Sequence, residues 1–219
     1  MNERTIRARI VCRISSIWCQ LTIRISILNY GVGNLYSLQA ALKREGAHCD
    51  VTKNLRKVKS ADALLLPGVG SFTTATSKIR APAVREIVLN GKPLLGICLG
   101  LQLFFRSSEE GRGRGLELLP GEVKRLPAGV KIPQIGWNLL KIKRQNELVE
   151  GLSNDGWVYY VHSYYPSTDG QWVTGTSEYG VQYPCLIAWK NIFGTQFHPE
   201  KSGITGRLIL RNFLNIIRR

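Results

Sequence analysis

Cys98 is the residue best placed to do chemistry. It lies in Gly96-Ile97-Cys98-Leu99-Gly100-Leu101-Gln102, after the apolar run Pro93-Leu94-Leu95 and before Leu103-Phe104-Phe105. The pattern predicts a strand, a tight turn and a helix, with the thiol at the turn. Glycines two positions to either side let the backbone turn sharply without side-chain clashes. The following helix then aims its free N–H groups and positive dipole end at the sulfur, which favours a thiolate and a developing oxyanion. Read alone, the segment fits a buried structural cysteine equally well.

A cysteine nucleophile needs a base and an orienting group from elsewhere in the chain. There are three histidines. His48, between Ala47 and Cys49, reads as a surface or packing residue. His162 ends the aromatic run Tyr159-Tyr160-Val161-His162. His198 ends Phe193-Gly194-Thr195-Gln196-Phe197-His198 and is followed by Pro199-Glu200. Proline fixes the turn there so that Glu200 can fold back onto the imidazole. His-Pro-Glu alone is more often an ordinary turn; beside the cysteine elbow it points to Cys98 as nucleophile, His198 as base and Glu200 as orienter. Pro67-Gly68-Val69-Gly70 adds backbone N–H groups in a segment that glycine allows to reorient. Gly68, Val69 and the N–H of Leu99 are therefore the candidate oxyanion hole.

Those residues need strands to hold them. Ile25–Leu28, Ala47–Thr52, Ala63–Leu66 and Pro93–Cys98 read as strands. Leu35–Glu45, closed by Gly46, and a stretch running to about Leu89 that breaks near Pro82 read as helices. Alternating strands and helices imply a mostly parallel sheet covered on both faces. Such sheets place their sites at the carboxyl ends of strands. The second half is hairpin-rich. Val123–Leu126, Trp137–Ile142, Trp157–His162, Trp172–Ser177, Cys185–Trp189 and Ile192–Phe197 read as short strands, and Ile204–Ile217 as a closing helix.

Composition bounds the setting. The 219 residues are 44% hydrophobic and 21% charged, as in a folded domain. No apolar stretch approaches the roughly 18–20 residues of a membrane span. The five cysteines are widely spaced and form no CxxC pair, which fits free thiols in a reducing cytoplasm and no metal site. A formal charge of +15 favours acidic partners, yet no nucleic-acid-binding motif accompanies it. Residues 1–24 stand apart: five arginines against one acid, with Ile6, Ile10, Ile14, Ile17 and Leu21 at helical spacing. That pattern suits a targeting or surface-binding helix, or a poorly ordered extension. Residues 25–219 read as one domain.

The elbow with His198-Pro199-Glu200 resembles the class I glutamine amidotransferases. Within that class, further segments resemble the glutaminase subunits of imidazole glycerol phosphate synthases of histidine biosynthesis. These are Asn29 to Leu35, Pro67 to Phe72, Pro133-Gln134-Ile135-Gly136-Trp137-Asn138, Tyr160 to Tyr165, and Gly194 to Ser202. The likeness runs from about Ile25 to the C-terminus. It implies a flavodoxin-like α/β fold and cofactor-free hydrolysis of glutamine through a Cys98 thioester. Gln102 and Glu110, with the His162-Ser163-Tyr164 backbone, are then expected to hold L-glutamine. The ammonia would pass to a separate (β/α)₈-barrel cyclase subunit in a heterodimer, with Trp137, Asn138 and Lys201 facing that partner. Asn29 and Arg106 depart from the family pattern, and neither belongs to the triad. Glutaminase action for pyridoxal phosphate or anthranilate synthesis, and an inactive regulatory or nucleic-acid-binding relative, are the alternatives.

Overall fold

The computed structural model describes residues 22–31, 35–152 and 155–219. The arginine-rich segment up to residue 21 lies outside the described residues. In chain order the elements are β1 (Arg24–Leu28), α1 (Leu35–Arg44), β2 (His48–Thr52), α2 (Leu55–Ser60), β3 (Ala63–Leu66), α3 (Phe72–Lys78), α4 (Ala81–Leu89), β4 (Leu94–Ile97) and the one-turn α5 (Leu99–Gln102). Then come β5 (Glu122–Arg125), β6 (Gln134–Ile142), β7 (Asp155–His162), β8 (Tyr164–Ser167), β9 (Val173–Glu178), β10 (Gln182–Trp189), β11 (Ile192–Thr195) and α6 (Gly203–Arg218). Among the described residues the central sheet has nine strands, ordered β2-β1-β3-β4-β11-β10-β9-β6-β7. The pairings from β2 to β11 are parallel. Those from β11 through β10, β9 and β6 to β7 are antiparallel. β5 and β8 form a separate antiparallel pair.

The parallel strands are short apolar runs because both of their faces are covered. Alternate residues feed two cores. Ile25, Ile27, Leu65, Leu95, Ile97 and Phe193 pack beneath α1 and α6, with Leu38, Leu42, Leu210 and Phe213. Leu28, Leu64, Leu66, Leu94 and Ile192 pack on the opposite side, with Val58, Phe72, Val84 and Val88 of α2, α3 and α4. Each such buried side chain is worth about 1.5–3 kcal/mol, so the alternation pins the register.

Strand β1 takes in Arg24, which pairs with His48, and Ile23 before it is buried, so packing begins slightly ahead of the expected residue 25. The expected break in the second helical stretch falls at Ile79–Arg80, with Pro82 in the first turn of α4. Proline is tolerated there because the first N–H groups have no partner inside the helix. Two elements have no counterpart in the sequence reading. Helix α2 buries only Val58 and starts on an Asn54 side-chain cap. β8 contains Pro166, which lowers its strand signal.

Candidate active site

Three parallel strands deliver the predicted triad and oxyanion loop from their carboxyl ends. Cys98 follows β4, the Pro67–Gly70 loop follows β3, and His198 lies just beyond β11. Cys98 itself has φ 53° and ψ −108°, a left-handed backbone that a non-glycine residue adopts at a cost. Its N–H donates to the Thr195 carbonyl at 2.7 Å, which ties the turn to β11. The flanking glycines are sterically required. A Cβ on Gly100 would lie 1.9 Å from the Leu66 carbonyl oxygen, and one on Gly96 would lie 2.6 Å from that of Gly100. Leu99 opens α5, so its N–H has no acceptor within the helix and is free for an oxyanion.

His198 is oriented as the sequence predicts. Its Nδ1 lies 2.9 Å from Glu200 Oε1, and both side chains are almost wholly buried. The intervening 3₁₀ turn, Pro199–Lys201, is braced by Ser202. The Ser202 hydroxyl donates to the His198 carbonyl at 2.6 Å and accepts from the Tyr159 N–H at 2.9 Å. Burial alone pushes the imidazole pKa down, but the Cys98 sulfur and Glu200 carboxylate outweigh it and raise the value to about 10. Among the described residues His198 Nε2 has no hydrogen-bond partner, leaving it free to exchange its proton with the Cys98 sulfur that raises its pKa.

The predicted substrate residues gather around one cleft. Val69, Gly70, Cys98, Leu99, Gln102, Glu110, Pro133 and Val161–Tyr164 line a volume of about 230 Å³. Gly68 stands behind this wall, where a Cβ would lie 2.5 Å from that of Leu99. The loop is held at its base by the buried Tyr30, whose hydroxyl donates to the Pro67 carbonyl. Glu110 accepts the Phe72 N–H at 2.5 Å and so links the cleft to the start of α3. Gln102, expected to hold substrate, lines the cleft, and its amide nitrogen donates to the Tyr164 carbonyl at 2.8 Å and to Gln196 Oε1 at 3.1 Å. His162 is buried, with Nδ1 2.9 Å from the Tyr164 carbonyl. Burial, and then the nearby His198 charge, hold its pKa down near 4 despite that hydrogen bond. A larger cavity, about 1030 Å³, lies among Arg80, Arg85, Arg112 and Arg114 and includes none of the predicted site residues.

Of the predicted partner residues, Trp137 lies on the open face of β6 and β7, Lys201 in the 3₁₀ turn beside that face, and Asn138 on the inner face of β6. Trp137 is 54% exposed and meets Tyr159 edge to face. Lys201 Nζ lies 5.7 Å from the Tyr159 ring centre. Asn138 is committed to the fold, donating to the Glu178 carbonyl at 2.8 Å. The sequence reading did not single out Ile135, Trp157 and Ile204, which are also exposed. Ile135 pairs with Val161, Trp137 with Tyr159 and Leu139 with Trp157, so this face begins at the wall of the cleft. Period-two alternation of the apolar residues was the available signal. Gln196 was also missed; its signal is its place two residues before His198.

A model of the family "Glutamine amidotransferase class-I" matches residues 26–217. The "Imidazole glycerol phosphate synthase subunit HisH" of Moorella thermoacetica is 47% identical over 200 residues, covering 89% of this chain and 95% of its own length. The protein of the same name from Archaeoglobus fulgidus is 46% identical over 198 residues, covering 89% and 100%. Among solved structures, PurLQS from Thermotoga maritima superposes with a TM-score of 0.73 at 18% identity, over 90% of this chain and 99% of that one. That likeness shows a shared fold.

Proposed function

The chain belongs to the class I glutamine amidotransferase family, and we propose that within it this is the glutaminase subunit of an imidazole glycerol phosphate synthase. The observation that carries the chemistry is the buried His198–Glu200 pair beside a cysteine elbow in a substrate-sized cleft. The pathway reading rests on 46–47% identity to synthase subunits along nearly their whole length.

Cys98 gives its proton to His198, and the sulfur attacks the side-chain carbonyl of glutamine. The carbonyl oxygen becomes an oxyanion held by the Leu99 N–H and a reoriented N–H in the Gly68–Val69 loop. Collapse breaks the C–N bond, and His198 returns its proton to the departing ammonia. Water, activated by the same imidazole, then hydrolyses the thioester to glutamate. Glu200 keeps the ring aligned and supports its positive charge, as the acid does in related triads. Glu110 and the His162–Tyr164 wall position the substrate, with Gln102 behind them.

Ammonia made here serves a cyclase subunit that builds imidazole glycerol phosphate and releases an aminoimidazole carboxamide ribotide. We assign the apolar face of Ile135, Trp137, Tyr159 and Trp157, with Lys201 at its edge, to that (β/α)₈-barrel partner in a heterodimer. Its continuity with the cleft wall supports the assignment. A cytoplasmic location goes with this reading, and the described cysteines Cys49, Cys98 and Cys185 are free. Cys98→Ala should abolish glutamine-dependent synthesis by the assembled enzyme while ammonia-dependent synthesis persists. Glutaminase turnover retained in that variant would overturn the triad.

A further inference from the structure

We infer that Gln196 is an additional catalytic residue, whose side-chain amide donates a hydrogen bond to the Cys98 sulfur and stabilises it as the attacking thiolate. This deepens the reading of Cys98 as nucleophile and rests on it.

The geometry assigns the direction of each bond. An amide's oxygen and nitrogen are told apart by their partners. A backbone carbonyl only accepts, so the Gln102 atom 2.8 Å from the Tyr164 carbonyl is its nitrogen. The second hydrogen on that nitrogen is shared with Gln196 at 3.1 Å, so the Gln196 atom there is its oxygen. That leaves the Gln196 nitrogen facing Cys98 Sγ, at 3.5 Å. Gln196 is fully buried, and its backbone N–H is fixed by the Cys185 carbonyl at 2.9 Å. It therefore has no solvent to turn toward and no room for a casual flip.

The other neighbour of the sulfur acts oppositely. The Val161 carbonyl lies 3.8 Å from Sγ and accepts only from the protonated thiol. Gln196 supplies a donor, which favours the charged form. When the proton moves to His198, the sulfur keeps the electron pair and Gln196 is already aimed at it. Gln102 is then a positioning residue: it carries the orientation of Tyr164, at the edge of the antiparallel half, through to the nucleophile.

The test is the pH dependence of Cys98 alkylation by iodoacetamide in the full chain, read at the Cys98 peptide by mass spectrometry. Gln196→Met keeps length and volume but removes the donor. It should move the midpoint of alkylation up by about one pH unit, a tenfold loss of thiolate below the midpoint. In the assembled enzyme, kcat for glutamine should fall about tenfold with KM nearly unchanged. Gln196→Glu, an isostere that places a carboxylate there, should move the midpoint up further, and serves if the methionine variant does not fold. Gln102→Met should shift it in the same direction by less. A folded Gln196 variant with wild-type midpoint and kcat overturns the inference, even if its melting temperature falls. If alkylating Cys98 in the wild-type chain leaves glutaminase activity intact, the nucleophile reading itself fails, which is a separate result.

Discussion

Strands β1, β3, β4 and β11 run parallel and are almost entirely buried, whereas β6 and β7 run antiparallel and leave one face open. The parallel half carries the reacting groups on turns that cannot move without displacing two cores. The antiparallel half supplies the cleft's other wall, His162 to Tyr164, and continues from it into an exposed aromatic surface. In the proposed function, catalytic geometry is thus set where packing is closed, and partner recognition where it is open. The two histidines follow the same division. His198, beyond β11, is raised to about 10 by Cys98 and Glu200 against its burial, while His162, ending β7, is pushed down to about 4 chiefly by burial.

The parallel half should break hardest. Gly100→Ala puts a methyl 1.9 Å from the Leu66 carbonyl oxygen, a backbone atom held in the sheet. The expected loss is about 3 kcal/mol or more, seen as poor soluble yield or a collapsed urea midpoint. Near-wild-type stability would show that the elbow and β3 can separate.

Glu200→Gln should retain the fold but lose roughly 10²–10⁴-fold in glutaminase kcat, the range of a general acid–base contribution. It should also change stability against pH. A folded-state imidazole near 10 adds stability that is fully present below the unfolded value of about 6.5 and is lost as pH rises through 10. With the carboxylate gone the folded value drops, so melting temperature should fall less steeply between pH 7 and 10. His162 has the opposite sign. Its stability contribution is present above about 6.5 and drains as pH falls toward 4, so His162→Gln should flatten the acid limb. Identical pH curves for wild type and both variants would remove the contrast between the two halves.

Legibility in the sequence tracks this contrast. The parallel strands are short apolar runs punctuated by glycine, so Ile25–Leu28, Ala63–Leu66 and the elbow were readable with their site residues. Cys98, His198 and Glu200 announce themselves by residue type at strand ends. Gln196 and Tyr30 do not. A buried glutamine and a buried tyrosine look like packing until the fold brings them to the Cys98 sulfur and the Pro67 carbonyl. Gln102 was legible as a site residue but not in its direction, because the Tyr164 carbonyl that orients it is 62 residues away. Periodicity reports which face a side chain takes and is silent on such distant hydrogen bonds.

The open face should break differently. Trp137 is half exposed and touches Tyr159 edge to face. Trp137→Ala should therefore change stability by under about 1 kcal/mol, while cyclase affinity falls by about 2 kcal/mol, roughly thirtyfold. Isothermal titration of the two subunits measures it. An unchanged affinity would move the partner off β6 and β7.

The smallest effect concerns the interior of the antiparallel half. Buried hydroxyls in the parallel half are satisfied: Ser26 donates to the Lys57 carbonyl and Thr195 to the Phe197 carbonyl. In β9, Thr174 and Ser177 are also bonded, but among the described residues Thr176 Oγ1 is buried without a partner. An unmet hydroxyl forfeits its hydration for nothing in return. Thr176→Val keeps the shape and β-branching and removes that group, so it should stabilise by about 1 kcal/mol, raising the melting temperature roughly 2–4 °C. The urea midpoint at unchanged slope is the cleaner readout, since it separates stability from compactness. A loss of stability would mean that the hydroxyl is bonded in solution, and that the antiparallel half is as closely satisfied inside as the parallel one. The contrast between the halves would then lie wholly in the open face.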